Sequence, residues 1–276
     1  MNKSIPHLCH LYWDKSPMAL LQVFTVVSFH KYNPDWKIIV YLTKQPYKEL
    51  GQNTYVPDYV AKDYFDLIRE LYYVEIKEID LIKEEINMNI PAIQSSDIFR
   101  RKILHKYGGV YSDFDTIWIK PMSEFVNIDC IGDASDFETI VCLYEFTHGF
   151  PNVSNLISEP GSQYIQSLLD AEKDVLPPYV HIAFGTAMLE KVYPTLESAM
   201  EIFPRLLAIK YETFYPYSIY KMNQLYFETD LTPLDSKNVM CIHWFNGTTE
   251  SKDYINKEDY NRDCSMTAIL KMEGYL

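Results

Sequence analysis

Residues 95–121 read SSDIFRRKILHKYGGVYSDFDTIWIKP, and this stretch decides the fold. Ser95 and Ser96 are residue types that cap helices, and the apolar stripe after them predicts a helix from about Asp97 to Tyr107. Gly108-Gly109 is a predicted stop, because glycine accepts the left-handed backbone found at helix C-termini. The segment therefore predicts a capped helix that leads directly into the next element.

The D-x-D motif, Asp113-Phe114-Asp115, follows that helix. Short strands are predicted on either side of it, over 110–112 and 116–119. In an extended chain, residues i and i+2 point the same way, so the two carboxylates are expected to converge at a strand end, where α/β sheets bind ligands. Such hard oxygen ligands suit Mg²⁺ or Mn²⁺, and either ion can hold a diphosphate.

The rest of the N-terminal half alternates strand-like and helix-like segments. Strands are predicted over 5–11, 36–42 and 72–79, and helices over 17–30 and 63–71. This order predicts an α/β fold with a mostly parallel central sheet flanked by helices.

The second half is less regular. Its predicted elements are strands over 140–144 and 239–244, helices over 163–176 and 186–192, and a helical tail from Ser251. No repeat or Pro/Gly/Ser linker interrupts the chain, so we predict one domain over 1–276.

Composition limits the classes of partner. The formal net charge of −13 repels nucleic acid, and the densest basic cluster is confined to residues 100–106. An acidic chain can still bind an anionic ligand through a bridging divalent cation.

The five cysteines have no CxxC spacing, which favours a reducing compartment. The apolar run Met18–Phe29 is too short for a membrane span and is interrupted by Gln22, Thr25 and Ser28, so we expect a soluble, cytoplasmic protein without a signal peptide.

A longer pattern surrounds the D-x-D motif. The positions matching S-D-x-x-R-x-x-x-L-x-x-x-G-G-x-Y-x-D-x-D are Ser96, Asp97, Arg100, Leu104, Gly108, Gly109, Tyr111, Asp113 and Asp115. In this pattern the chain resembles the DxD-motif sugar-binding-region glycosyltransferases of family 32, which are related to the catalytic domains of clostridial glucosylating toxins. Weaker likenesses lie at 5–13, at 155–161 without the family's final H-P, and at 243–247 without its last tryptophan.

The resemblance implies a GT-A fold, one Rossmann-like domain, and transfer that retains the anomeric configuration. Asp115 would chelate Mn²⁺ (or Mg²⁺) on the donor diphosphate, and Asp113 would reach the ribose and, partly through water, the metal. Asp97 and Arg100, three residues apart on one helix face, would grip hydroxyls of the donor sugar. A structural ion pair at a helix start is the alternative for these two residues.

Five further positions are candidates. Trp13 can stack on the nucleobase or pack in the core. His243 can be a further ligand to the metal or the diphosphate, or a structural histidine. By resemblance, Leu11 and Tyr111 belong to the donor site. Asn155 can face donor or acceptor, or simply turn the chain.

These observations predict a metal-dependent retaining hexosyltransferase, for example in polysaccharide biosynthesis. We expect a UDP-sugar donor, with a GDP-sugar possible, bound by about residues 1–120. The acceptor, a glycan, lipid or protein hydroxyl, would bind about residues 121–276. One rival is a metal-dependent phosphohydrolase, although only Glu124 offers a further carboxylate between Asp115 and Asp129. The other rival is a silent nucleotide-sugar-binding module. Oligomeric state is left open.

Overall fold

The computed structural model describes residues 5–45, 62–87, 90, 92–132, 136–143, 151–175, 184, 186–193 and 195–276. Within these residues the strands are β1 (Leu8–Trp13), β2 (Lys37–Thr43), β3 (Val74–Ile79), β4 (Gly109–Tyr111), β5 (Thr116–Trp118), β6 (Cys130–Ile131), β7 (Thr139–Leu143), β8 (Pro151–Ser158), β9 (Leu206–Ile209) and β10 (Cys241–His243). The α-helices are α1 (Leu20–Tyr32), α2 (Phe65–Glu70), α3 (Ala92–Tyr107), α4 (Gln163–Ala171), α5 (Thr186–Val192), α6 (Leu196–Ile202), α7 (Met222–Tyr226), α8 (Thr249–Asn256) and α9 (Ser265–Met272). Short 3₁₀ helices lie at Met122–Asn127, Glu172–Asp174, Tyr211–Thr213, Ile219–Lys221 and Thr232–Asp235.

The central sheet has the strand order β3-β2-β1-β4-β8-β7-β9-β6, and β5 pairs separately with β10. From β3 to β4 all neighbours are parallel, as the alternating N-terminal half predicts. Beyond β4 the sheet is mixed, because β8 is antiparallel to both β4 and β7. The predicted α/β fold, a central sheet flanked by helices, is confirmed, with the parallel part of the sheet confined mainly to one half.

The alternation of β1 shows why helices cover both faces of the sheet. Cys9, Leu11 and Trp13 enter one buried cluster, together with side chains of α1. Tyr12 points to the opposite cluster, where it meets residues of α3. A strand buried on both faces in this way is typical of a central parallel strand. In the part of the chain that the structure describes, no helix is both long and apolar enough to cross a membrane.

Several predicted boundaries are wrong. Helix α3 begins at Ala92, so Ser95 and Ser96 lie inside it rather than capping it, and the Ser96 hydroxyl donates to the Ile93 carbonyl oxygen at 2.7 Å. Helix α4 ends at Ala171 and tightens into 3₁₀ geometry, short of the predicted end at 176, which lies outside the described residues. Strand β8 was not predicted, since its eight residues lack a strict alternation of apolar and polar side chains.

Candidate active site

The glycine pair brings α3 to the centre of the sheet. Gly108 and Gly109 have φ angles of +66° and +103°, in the region that side chains with a Cβ rarely adopt. A Cβ on Gly109 would also collide with the carbonyl oxygen of Leu8. Glycine at this position therefore lets β4 pair directly with β1, which places the D-x-D motif at the end of a central strand.

The D-x-D carboxylates converge, but not for the predicted reason. Phe114 and Asp115 form a turn between β4 and β5, so the alternation of an extended strand does not align the two side chains. In the antiparallel pair of β5 with β10, His243 lies opposite Thr116, directly after the turn. Antiparallel pairing thus brings a histidine from the far end of the chain against both carboxylates.

Asp113, Asp115 and His243 form a compact group. The distance from His243 Nε2 is 2.9 Å to Asp115 Oδ1 and 4.0 Å to Asp113 Oδ2. One potential ligand atom from each residue lies within 4.8 Å of the others. Among the described residues this is the group of acidic, histidine and cysteine side chains with a geometry suited to a metal ion.

Backbone amides hold the outer sides of this group. The Asn246 N–H donates to Asp115 Oδ2 at 3.0 Å, and the Phe245 N–H donates to His243 Nδ1 at 3.3 Å. Because Nδ1 accepts, a neutral His243 carries its proton on Nε2, facing Asp115. Metal binding through Nε2 would require the other tautomer, with the proton on Nδ1, and would displace the contact from the Phe245 N–H.

Arg100 connects the helix to the D-x-D motif. Its Nη2 lies 3.0 Å from Asp97 Oδ1 and 3.2 Å from Asp113 Oδ1, and its side chain is 4% exposed. The guanidinium also lies over the ring of Tyr111, 4.7 Å from the centroid. Since α3 begins five residues before Asp97, this is not an ion pair at a helix start. Arg100 instead neutralises a carboxylate of the D-x-D motif.

The pKa values of the two carboxylates are shifted in opposite directions. Burial raises the pKa of Asp113 to about 6, and the negative charge of Asp115 adds to this, although Arg100 and His243 act to lower it. Burial also acts to raise the pKa of Asp115, but the charge and hydrogen bond of His243 outweigh it, and the pKa falls below its ordinary value. For Arg100, burial acts to lower the pKa, but Asp113 and Asp97 raise it further, so it stays charged.

These donors fit a hard divalent cation. Carboxylate oxygens with one imidazole nitrogen suit Mn²⁺ or Mg²⁺. The like charges of Asp113 and Asp115 repel, which adds to the effect of burial in raising the pKa of Asp113, and a cation between them would relieve that repulsion. The predicted set Asp113, Asp115 and His243 is thus brought together by the fold.

Proton competition should make metal binding depend on pH. Because the pKa of Asp113 is about 6, this carboxylate is ionised at pH 7.5 and mostly protonated at pH 5. We expect Mn²⁺ affinity to fall about tenfold per pH unit below pH 6, since one bound proton must be displaced. Titration of Mn²⁺ followed by electron paramagnetic resonance between pH 5 and 8 measures this, and Asp113→Asn should flatten the profile. A wild-type affinity that stays constant down to pH 5 would contradict the assignment.

The other predicted residues lie close to this group. Asn155 is in β8, not in a turn, and its Oδ1 accepts from the Asp113 N–H at 3.2 Å. Trp13 is buried edge-on against Phe114 at 5.0 Å, and its indole N–H donates to the Ser16 carbonyl oxygen. Leu11 and Tyr111 are buried. Sequence reasoning missed Tyr215, a buried residue whose ring centroid lies 4.9 Å from that of His243; no sequence signal singles it out.

Residues 21–138 match a family model described as "Glycosyltransferase sugar-binding region containing DXD motif". This segment is similar to that family, and it covers less than half of the chain. The match includes helix α3, the glycine pair and the D-x-D motif, so the resemblance inferred from those residues is confirmed. His243 and Asn155 lie beyond the matched segment.

One curated protein is similar to a short part of this chain, and several solved structures are similar to most of it. The initiation-specific α-1,6-mannosyltransferase of Candida albicans is 34% identical over 67 residues, which cover 20% of this chain and 17% of that protein. The match thus spans less than a fifth of the curated relative. Among solved structures, the PaToxG glycosyltransferase has a TM-score of 0.47 and 14% identity, covering 96% of this chain and 87% of that one. The galactosyltransferase LgtC, solved with donor and acceptor sugar analogues, has a TM-score of 0.47 and 11% identity, covering 91% and 93%.

Proposed function

We propose that this protein is a metal-dependent, retaining glycosyltransferase that moves a sugar from a nucleotide-sugar to a hydroxyl acceptor. The observation that carries the proposal is the convergence of Asp113, Asp115 and His243, with Arg100 bonded to both Asp97 and Asp113. In this proposal the first three side chains would hold a cation, and Asp97 and Arg100 beside them would face the sugar. Residues 1–276 would act as one domain, with the donor bound by about the first 120.

Asp115 and His243 would hold Mn²⁺ or Mg²⁺, with Asp113 contributing in part and also reaching the ribose. When bound, the ion would supply positive charge against the diphosphate as that group leaves. The chain's own contribution is to fix the ligands in place. The Asn246 N–H orients the carboxylate of Asp115, and Arg100 keeps Asp113 anionic by opposing its burial.

Asp97 and Arg100 would contact hydroxyls of the donor sugar. Both side chains are largely buried, and a carboxylate and a guanidinium offer acceptors and donors in the pairing that sugar hydroxyls need. Leu11, Trp13 and Tyr111 would line the nucleotide side, and Asn155 would border the diphosphate through its contact with Asp113.

In the proposed reaction the acceptor oxygen attacks the anomeric carbon from the face that the diphosphate leaves. The new C–O bond forms as the bond to the diphosphate oxygen breaks, and the acceptor proton passes to that oxygen. No side chain is assigned as a nucleophile. An inverted anomer in the product, measured by proton NMR, would contradict this mechanism.

A UDP-sugar is the favoured donor, and a GDP-sugar is the alternative. The curated relative is named a mannosyltransferase. The resemblance to the family implies a GDP-sugar donor where mannose is the sugar transferred. The acceptor would be a glycan, lipid or protein hydroxyl bound by the later part of the chain.

A screen of UDP- and GDP-sugars, with and without Mn²⁺, tests the proposal by thermal shift and by slow release of free sugar. We expect one donor to stabilise the protein only when Mn²⁺ is present; at one hundred times its Kd the gain is about 2.7 kcal/mol. Release of phosphate from simple esters without sugar transfer would instead indicate a phosphohydrolase. Donor binding without turnover on any acceptor or on water would indicate a silent binding module.

A further inference from the structure

Three polar side chains interrupt the apolar run Met18–Phe29, most of which lies in helix α1. Gln22, Thr25 and Ser28 are spaced three residues apart, and all three are buried in the structure. Buried polar groups are tolerated only where they are hydrogen-bonded. Gln22 is used within its own helix start, since its Oε1 accepts from the Ala19 N–H at 2.7 Å. The other two side chains reach the strand that follows the D-x-D motif.

Thr25 contacts the backbone on both sides of Asp115. Its hydroxyl donates to the Phe114 carbonyl oxygen at 2.6 Å, and the Thr116 N–H points at the same oxygen at 3.4 Å. These groups belong to the two peptide units that flank the Asp115 Cα. A single buried side chain therefore restrains both backbone dihedrals of that residue, while Asn246 and His243 restrain its carboxylate.

Ser28 provides an internal comparison. It is equally buried on the same helix, and its hydroxyl accepts from the Trp118 N–H at 3.0 Å and donates to the Thr25 carbonyl oxygen at 3.0 Å. Trp118 is the last residue of β5, beyond the D-x-D turn. The two hydroxyls thus join the same helix to the same segment, but only that of Thr25 bonds to the turn.

We propose that Thr25 is a positioning residue for the metal site, and that its hydroxyl fixes the backbone turn that presents Asp115 to the cation. The inference rests on the proposed function, since it concerns the same metal site. Thr25, one of the polar residues that interrupt the apolar run of α1, would then have a role in metal binding. Groups that orient metal ligands in this way commonly change metal affinity by about 10- to 100-fold when removed.

The test measures Mn²⁺ affinity by electron paramagnetic resonance and kcat and KM for the donor, in wild type, Thr25→Val, Thr25→Ser and Ser28→Ala. We expect Thr25→Val to weaken Mn²⁺ binding about 10-fold and Thr25→Ser, which keeps the hydroxyl, to restore it to within about twofold. We expect Ser28→Ala to lower the melting temperature while leaving Mn²⁺ affinity within about twofold of wild type. A merely structural hydroxyl would lower the melting temperature without this split in affinity.

The outcomes separate the two proposals. If wild type binds no Mn²⁺, the proposed function fails. If wild type binds Mn²⁺ and folded Thr25→Val binds it equally well, or if Ser28→Ala weakens it as much as Thr25→Val does, the positioning role is wrong. Should Thr25→Val not fold, Thr25→Ala takes its place, because the smaller side chain leaves no methyl group against the Phe114 carbonyl oxygen. Retained Mn²⁺ affinity in that variant contradicts the inference equally.

Discussion

Asp115→Asn should abolish the stabilisation by Mn²⁺ plus nucleotide-sugar and lower kcat by about a thousandfold. The substitution removes the charge that would hold the cation, and losses of about 10²- to 10³-fold are typical when one group that stabilises developing charge is deleted. The fold should survive, because an asparagine oxygen can still accept from the Asn246 N–H. The loss of the attraction to His243 is partly offset in the metal-free protein by the loss of the repulsion with Asp113. The measurements are thermal shift with and without Mn²⁺, and sugar release.

The control for this variant is Asp129→Asn. Asp129 is an exposed aspartate that is paired with Lys237 and does not belong to the metal group, so its loss should leave both measurements unchanged. An Asp115→Asn protein with an intact metal-dependent shift would remove Asp115 from the ligand set. An equal loss of the metal-dependent shift and of sugar release in the Asp129→Asn protein would show that both measurements respond to the removal of any acidic charge, not of Asp115 in particular.

Arg100→Met should destabilise the protein by about 3–5 kcal/mol at pH 7, the cost typical of removing one partner from a buried ion pair. The substitution keeps much of the side-chain volume but leaves Asp97 and Asp113 without their shared counter-charge. The pKa of Asp113 is already raised to about 6, and the loss of Arg100 should raise it further. The native state then binds a proton more tightly than the unfolded chain does. The variant's stability should therefore fall as pH rises from 5 to 8, more steeply than that of wild type.

Arg262→Met is the matched control, because Arg262 also bridges two aspartates, Asp253 and Asp259. Here the carboxylates are 31% and 38% exposed and keep their water, so we expect a loss of about 1 kcal/mol with little dependence on pH. Urea unfolding at pH 5, 6, 7 and 8 gives both comparisons. If both variants lose the same free energy at every pH, the Arg100 network is no more than a surface ion pair.

Much of the site's polar helix face was predictable from local signals. The spacing of Asp97 and Arg100 on one helix turn and the glycine stop depend on backbone geometry over a few residues. Backbone geometry over so few residues can be predicted from one sequence. The helix start was predicted wrongly because serine also bonds back within a helix, as Ser96 does to Ile93. Its residue type therefore did not mark a boundary.

The sequence by itself determined the α/β order, the helix that ends in Gly108-Gly109 and the pair of carboxylates that follows, since each is encoded within one short segment. Only the tertiary structure decided which distant groups meet that pair. His243 arrives through the pairing of β10 with β5, and Thr25 reaches the turn from a helix 89 positions away in the sequence. Strand pairing and helix packing bury surface that is far apart along the chain. Many polar residues elsewhere in the chain could contact the two carboxylates as far as the local sequence is concerned. The packing of the whole fold selects which of them do.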